Sequence, residues 1–199
     1  MKKTETLGFR TWAGLLMLGA AASVTAAPAP SHATAAQAQK TESEAVHDFV
    51  QGFYDWYVGL AQKESNQEPP YEAALKSTRW PMSQEIVAAL NADMAAQAKT
   101  PDDVVGIDFD PFLNAQDECF PYKAGKVTQT GSRYQVTVID SHCSDPHPEW
   151  PTVIAVVEER KGTWTFVNFL YPGDTQGAAQ TDLLTVLQDL KKEREQNPK

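Results

Sequence analysis

Gly106-Ile107-Asp108-Phe109-Asp110-Pro111-Phe112-Leu113-Asn114-Ala115-Gln116-Asp117 divides the chain into a helix-rich first half and a strand-rich second half. The stretch holds three carboxylates and two phenylalanines, so its conformation decides how the halves meet. If residues 107–109 are extended, Asp108 points opposite to Phe109, and Asp110 returns to the side of Asp108. Two carboxylates on one side could share a proton or hold a hard cation, with Asn114 and Gln116 adding oxygen ligands. The same residues also read as scaffold. Asp110-Pro111 is an ordinary turn start, and Asp117 fits a cap on a helical turn. The spacing does not match the EF-hand loop. Phe109 and Phe112 are expected to plug the core between the two halves, and truncating either costs roughly 3–5 kcal/mol if it is fully buried.

Upstream, residues 41–60 form the clearest helix. Val46, Phe49, Val50, Phe53, Tyr54, Tyr57 and Leu60 recur at helical spacing. Thr41 with Glu44 fits a capping box at its start. Gly52 inside this apolar stripe marks close packing, because a helical Gly costs about 1 kcal/mol relative to Ala. His47 and Asp55 fall on the solvated face. A polar loop ending in Pro69-Pro70 leads to a short helix from Tyr71, and Trp80-Pro81-Met82 breaks it. Ser83 then caps a second long helix over 84–98.

Downstream come four strands. They cover 122–128, 133–138, 152–159 and 163–171, with turns at Thr130-Gly131 and Lys161-Gly162. On the last strand a period of two places Trp164, Phe166, Asn168 and Leu170 on one face. A polar amide on an apolar face needs partners. Asn168 therefore either bonds a neighbouring loop or looks into a pocket that Tyr54, Tyr57 and Trp164 would also line. Residues 181–195 close the chain as a helix buried through Leu183, Leu184, Leu187 and Leu190. Helices followed by an antiparallel meander define an α+β domain: a long N-terminal helix packed against a curved, cone-like antiparallel sheet, with a C-terminal helix.

The first 26 residues read as a secretory signal. Lys2, Lys3 and Arg10 precede an apolar run, and Val24-Thr25-Ala26 supplies a cleavage site. Residues 27–40, rich in Ala, Pro, Ser, Thr and Gln, read as a flexible linker. Residues 41–195 form one domain. The net charge is -9, and the first 26 residues contribute +2, so the exported part carries -11. That balance disfavours nucleic acid and anionic membranes. It suits a basic partner or serves solubility. Once the signal is removed, no stable membrane insertion is expected. Cys119 and Cys143, an even pair in an exported chain, are expected to form a disulfide. A zinc site drawing on His142, Asp145 and His147 would need different cysteine spacing.

The run Val46-His47-Asp48-Phe49-Val50-Gln51-Gly52-Phe53-Tyr54-Asp55-Trp56-Tyr57 and the Asp108 to Asp117 stretch, followed by Gly-punctuated strands, resemble an exported bacterial family of unknown function. Its fold is the nuclear-transport-factor-two-like, cystatin-like cone. The resemblance covers residues 43–190 and is most specific in the central stretch. It implies the cone and transfers no catalytic set, since the fold hosts enzymes and binding modules alike.

There is no phosphate loop, no His-Glu-x-x-His pair and no nucleophile elbow, so neither cofactor nor metal is expected. The expectation is a periplasmic or secreted, non-catalytic binding protein. It would take a small ligand, or act as an acidic inhibitor or immunity-type protein on a basic envelope enzyme. Its candidate contacts are Asp108, Asp110, Asn114, Asp117, Asn168, Tyr54, Tyr57 and Trp164. The alternative is a carboxylate-dependent hydrolase or isomerase using Asp108 or Asp110.

Overall fold

The computed structural model describes residues 32–63, 69–116, 120–140, 150–173 and 181–197, with side chains from Thr41 onward. The signal segment 1–26, Asp117, Cys119, His142, Cys143, Asp145 and His147 lie outside the described residues.

The long helix α1 runs His32–Ala61. It starts earlier than the capping box at Thr41 predicts, so Thr41 and Glu44 lie within the helix, and residues 32–40 continue it rather than form a tether. The composition accounts for this, since Ala, Gln and Lys dominate residues 35–40 and are strong helix formers. The face of α1 that meets the sheet is the one its periodicity marks. Val46, Val50, Phe53, Tyr54 and Tyr57 are fully buried, and Phe49 and Leu60 flank them.

Helix α2 (Pro70–Leu75) starts on the Pro69-Pro70 pair, with Pro at its first position, where the missing N–H costs nothing. Helix α3 (Gln84–Gln97) is capped by Ser83, whose hydroxyl accepts from the Ile86 amide. Helix α4 (Leu183–Gln196) buries Leu183 and Leu187 and is capped by Asp182.

Strands β1 (Tyr122–Thr130), β2 (Arg133–Asp140), β3 (Val153–Arg160), β4 (Thr163–Tyr171) and β5 (Thr181–Asp182) form one open antiparallel sheet in sequential order. At the tight β3–β4 hairpin Lys161 and Gly162 have φ of 54° and 78°, the backbone of a type I′ turn. The β4 edge is covered twice. Ser83 donates to the Phe166 carbonyl and Phe166 donates to the Pro81 carbonyl, while β5 pairs with Leu170 and Tyr171.

The space between α1 and the sheet is filled with rings. The Phe53 centroid lies 4.7 Å from Phe166, 5.3 Å from Tyr57 and 5.7 Å from Phe112. Gly52 packs as its position in the stripe implies, because a Cβ there would stand 2.7 Å from Cη2 of Trp80.

One strand reading is corrected. A bulge on β4 opposite Val156 and Val157 pairs Asn168 with Val156 but Phe166 with Val157. The extra residue flips the alternation. Trp164 and Phe166 therefore face α1, whereas Asn168 and Leu170 turn to the opposite face, and Phe169 and Tyr171 take over the core side.

Candidate functional site: the Asp110 turn and its adjoining cleft

The central stretch forms a tight turn between the layers, anchored from both. The Asp110 carboxylate accepts from the amides of Phe112 at 2.9 Å and Leu113 at 3.0 Å through one oxygen. Its other oxygen accepts from the Tyr57 hydroxyl at 2.6 Å. The Asn114 amide donates to the Asp110 carbonyl, and the Asp110 amide to the Ala115 carbonyl. Asn114 sits at φ 52°, a left-handed conformation that Asn tolerates better than most residues. Its side-chain amide donates to the Thr152 carbonyl at the entry to β3.

Two further tyrosines hold the same turn. Tyr54 donates to the Phe112 carbonyl and Tyr171 to the Pro111 carbonyl, each at 2.8 Å. Three buried hydroxyls, two from α1 and one from β4, thus satisfy polar atoms that a buried turn would otherwise leave bare. Burial, with the Asp110 charge added, pushes the Tyr54 and Tyr171 hydroxyls well above the usual tyrosine range, so both stay protonated donors.

The segment entering the turn is held from below. Asp93 is buried on α3. It accepts from Arg194 of α4 at 2.6 Å and from the Ile107 amide at 2.8 Å. Arg194 also donates to the Val105 carbonyl, and Gln97 accepts from the amides of Val105 and Gly106. Gly106 is required there, because a Cβ would fall 2.8 Å from the Asp93 carboxylate.

Between this segment and the start of α2 lies an open cleft of about 330 Å³, bounded by residues 69–71 on one side and 107–110, 115 and 116 on the other. Asp108 is exposed within it. One Asp108 oxygen accepts from Gln116 at 3.2 Å, and the other accepts no bond among the described residues. The Phe109 ring is half-buried, edge-on to Tyr171. Tyr71 is half-buried, and burial raises its hydroxyl above the usual range, with Glu72, Asp93 and Asp110 adding to the shift.

The structure separates the residues that the sequence grouped. Asp108 and Asp110 both border the cleft, but Asp110 is bound into the turn. Asn114 serves the backbone. Tyr54 and Tyr57 are fully buried. Trp164 packs edge-on against Tyr134 near Glu42, at the other end of α1, and Asn168 donates to Asp182. Among the described residues, neither of the two clefts is lined by Tyr54, Tyr57, Trp164 or Asn168. Asp93, Gln97, Arg194, Pro69, Pro70 and Tyr71 carry no site signal in the sequence alone. Asp93 and Arg194 meet across 101 residues, Gln97 holds a loop three to nine residues on that no periodicity marks, and the Pro69-Pro70 pair with Tyr71 signals only a loop end and a helix start.

Among the described residues no group of three or more His, Cys, Asp or Glu side chains could hold a metal ion. No helix described is long and apolar enough to cross a membrane. The fold and site define an α+β protein with an open five-stranded antiparallel sheet and a surface cleft beside a tyrosine-anchored turn. Comparison with family models, curated proteins and solved structures finds no match to this chain.

Proposed function

We propose that the chain is an exported, non-catalytic binding protein built on a nuclear-transport-factor-two-like cone, and that it engages a basic envelope protein through its acidic surface at the cleft beside Asp108. The observation that carries this reading is the contrast between the two neighbouring carboxylates. Asp110 accepts from two backbone amides and a tyrosine, a commitment that suits a scaffold better than a general base. Asp108 is exposed, has an oxygen that accepts no bond among the described residues, and borders a cleft whose described lining includes no basic side chain. The net charge of -11 on the exported part, the -9 of the whole chain less the +2 of its first 26 residues, draws a basic partner towards such a site and makes capture sensitive to salt.

The test is retention of proteins from an envelope extract on the immobilised chain at low and high salt, followed by identification and purification of what is retained. The expected result is a basic protein that binds directly at low salt and is released at high salt. Retention of nothing under either condition overturns the reading.

A further inference from the structure

We infer that the cleft is a subsite for an arginine side chain of the partner, an inference that rests on the binding reading above and specifies its chemistry. At about 330 Å³ the cleft is at the lower end of the ~300–1,000 Å³ typical of ligand pockets, a size suited to one side chain.

Its two kinds of wall match the two parts of that side chain. Pro69, Pro70 and the rings of Tyr71 and Phe109 offer stiff apolar surface for a methylene stem and for the flat face of a guanidinium. Asp108 offers the carboxylate. Gln116 steadies one of its oxygens and the other is open to a donor. Asp110 adds negative charge at the inner end without needing to bond the ligand, since its oxygens already accept from the turn.

Guanidinium fits better than ammonium on two counts. Its planar fork presents several donors to the Asp108 carboxylate, and it stacks on rings and prolines where a strongly hydrated ammonium does not. The wall is also preorganised. The Asp93 carboxylate holds the Ile107 amide, and Arg194 and Gln97 hold Val105, so little ordering is left for binding to supply.

The full chain, isotope-labelled, is titrated with N-acetyl-arginine amide, N-acetyl-lysine amide and the uncharged isostere N-acetyl-citrulline amide, with backbone amide shifts as the readout. The expected result is saturable shifts at Ile107, Asp108, Phe109 and Gln116, with arginine tightest and at least about tenfold ahead of citrulline, the scale of one charge-assisted hydrogen bond. Asp108→Asn is expected to lower arginine affinity about tenfold while leaving citrulline unchanged. Asp108 is exposed and holds no backbone group, so this variant keeps the fold, and its unchanged amide spectrum elsewhere verifies that.

Equal binding of citrulline and arginine, equal binding of lysine and arginine, or an Asp108→Asn variant that binds arginine as before overturns the inference. Capture of a basic protein without arginine binding in the cleft overturns this inference and leaves the broader reading standing. Arginine binding in the cleft without any captured partner overturns the broader reading and, with it, the assignment of that arginine to a partner protein.

Discussion

Asp110 shows how one side chain can settle a conformation that its neighbours leave open. A strict alternation places it beside Asp108 as half of a carboxylate pair, whereas its actual partners are the Phe112 and Leu113 amides and the Tyr57 hydroxyl. The turn-start reading of Asp110-Pro111 contained the right local chemistry, since Asp readily bonds its own backbone two and three residues on. Spacing marks Tyr57 as a stripe residue and a candidate pocket wall, but cannot assign its hydroxyl, whose partner lies 53 residues away. Asp110→Ala removes three hydrogen bonds and is expected to lower stability by about 2–4 kcal/mol, given roughly 1.5–3 for each bond to a charged group and incomplete additivity. Asp110→Asn keeps an oxygen for the two amides and should cost only about 1 kcal/mol. Urea denaturation of both variants measures the difference, and equal losses would mean that the turn does not use the carboxylate as described. Gly52 supplies a second residue-scale case. Gly52→Ala gains about 1 kcal/mol of helix propensity but drives a methyl into Trp80, and overpacking costs about 1–3 kcal/mol. A net destabilisation with altered tryptophan fluorescence is expected; a net gain would show that the Trp80 ring yields freely.

Among the elements, β4 and α4 depart most from what periodicity gives. A period of two cannot reveal a bulge, because the extra residue is paid out by the partner strand's geometry rather than written in the local pattern. The bulge turns Asn168 away from the core, where it donates to Asp182, the residue that caps α4. Partial burial pushes the Asp182 carboxyl up, but bonds from Asn168, Thr185 and Leu184 outweigh it and hold the group below the usual aspartate range. A carboxyl depressed by folding contributes stability above its unfolded value of about 3.9 and loses it as pH falls through the lower folded value. Asp182→Ala is therefore expected to cost about 1–2 kcal/mol at neutral pH, with the gap to the parent protein closing below pH ~4. Denaturation midpoints of both proteins across that range check it, and a gap independent of pH would sink the ionic part of the argument. The end of α4 is fastened differently. Arg194 fits the favourable charge at a helix C-terminus, yet its main engagement is with buried Asp93. Arg194→Met strands that carboxylate and is expected to cost about 3 kcal/mol, the low end for breaking a buried pair, because a fifth of the Arg194 side chain remains in solvent. The loss should appear in urea titrations, together with faster hydrogen exchange at the Ile107 amide.

For the whole molecule, the tyrosines that join its layers also set its alkaline limit. Tyr54 and Tyr171 are raised by burial first and by the Asp110 charge second, and Tyr134 is pushed up to about 12 by burial and by its bond to Glu42. A group whose folded value is raised stabilises the protein fully below its unfolded value of about 10 and progressively less as pH climbs through the folded value. Stability is thus expected to fall from pH ~10 upward, with tyrosinate absorbance rising in step with unfolding; tyrosinate that forms before unfolding would show that these hydroxyls are not buried donors. By itself the sequence determined the helices, the four long strands and their inward faces up to the bulge on β4. The apolar stripe of α1, the Ser83 cap, the Lys161-Gly162 hairpin and the burial of Phe112 all follow from interactions within a few residues, so local spacing carries them. Only the tertiary structure decided which polar groups meet: Tyr57 with Asp110, Tyr171 with Pro111, Arg194 with Asp93. Those contacts join residues 53, 60 and 101 positions apart, and no periodicity records a hydrogen bond whose two ends are brought together by packing of the layers between them.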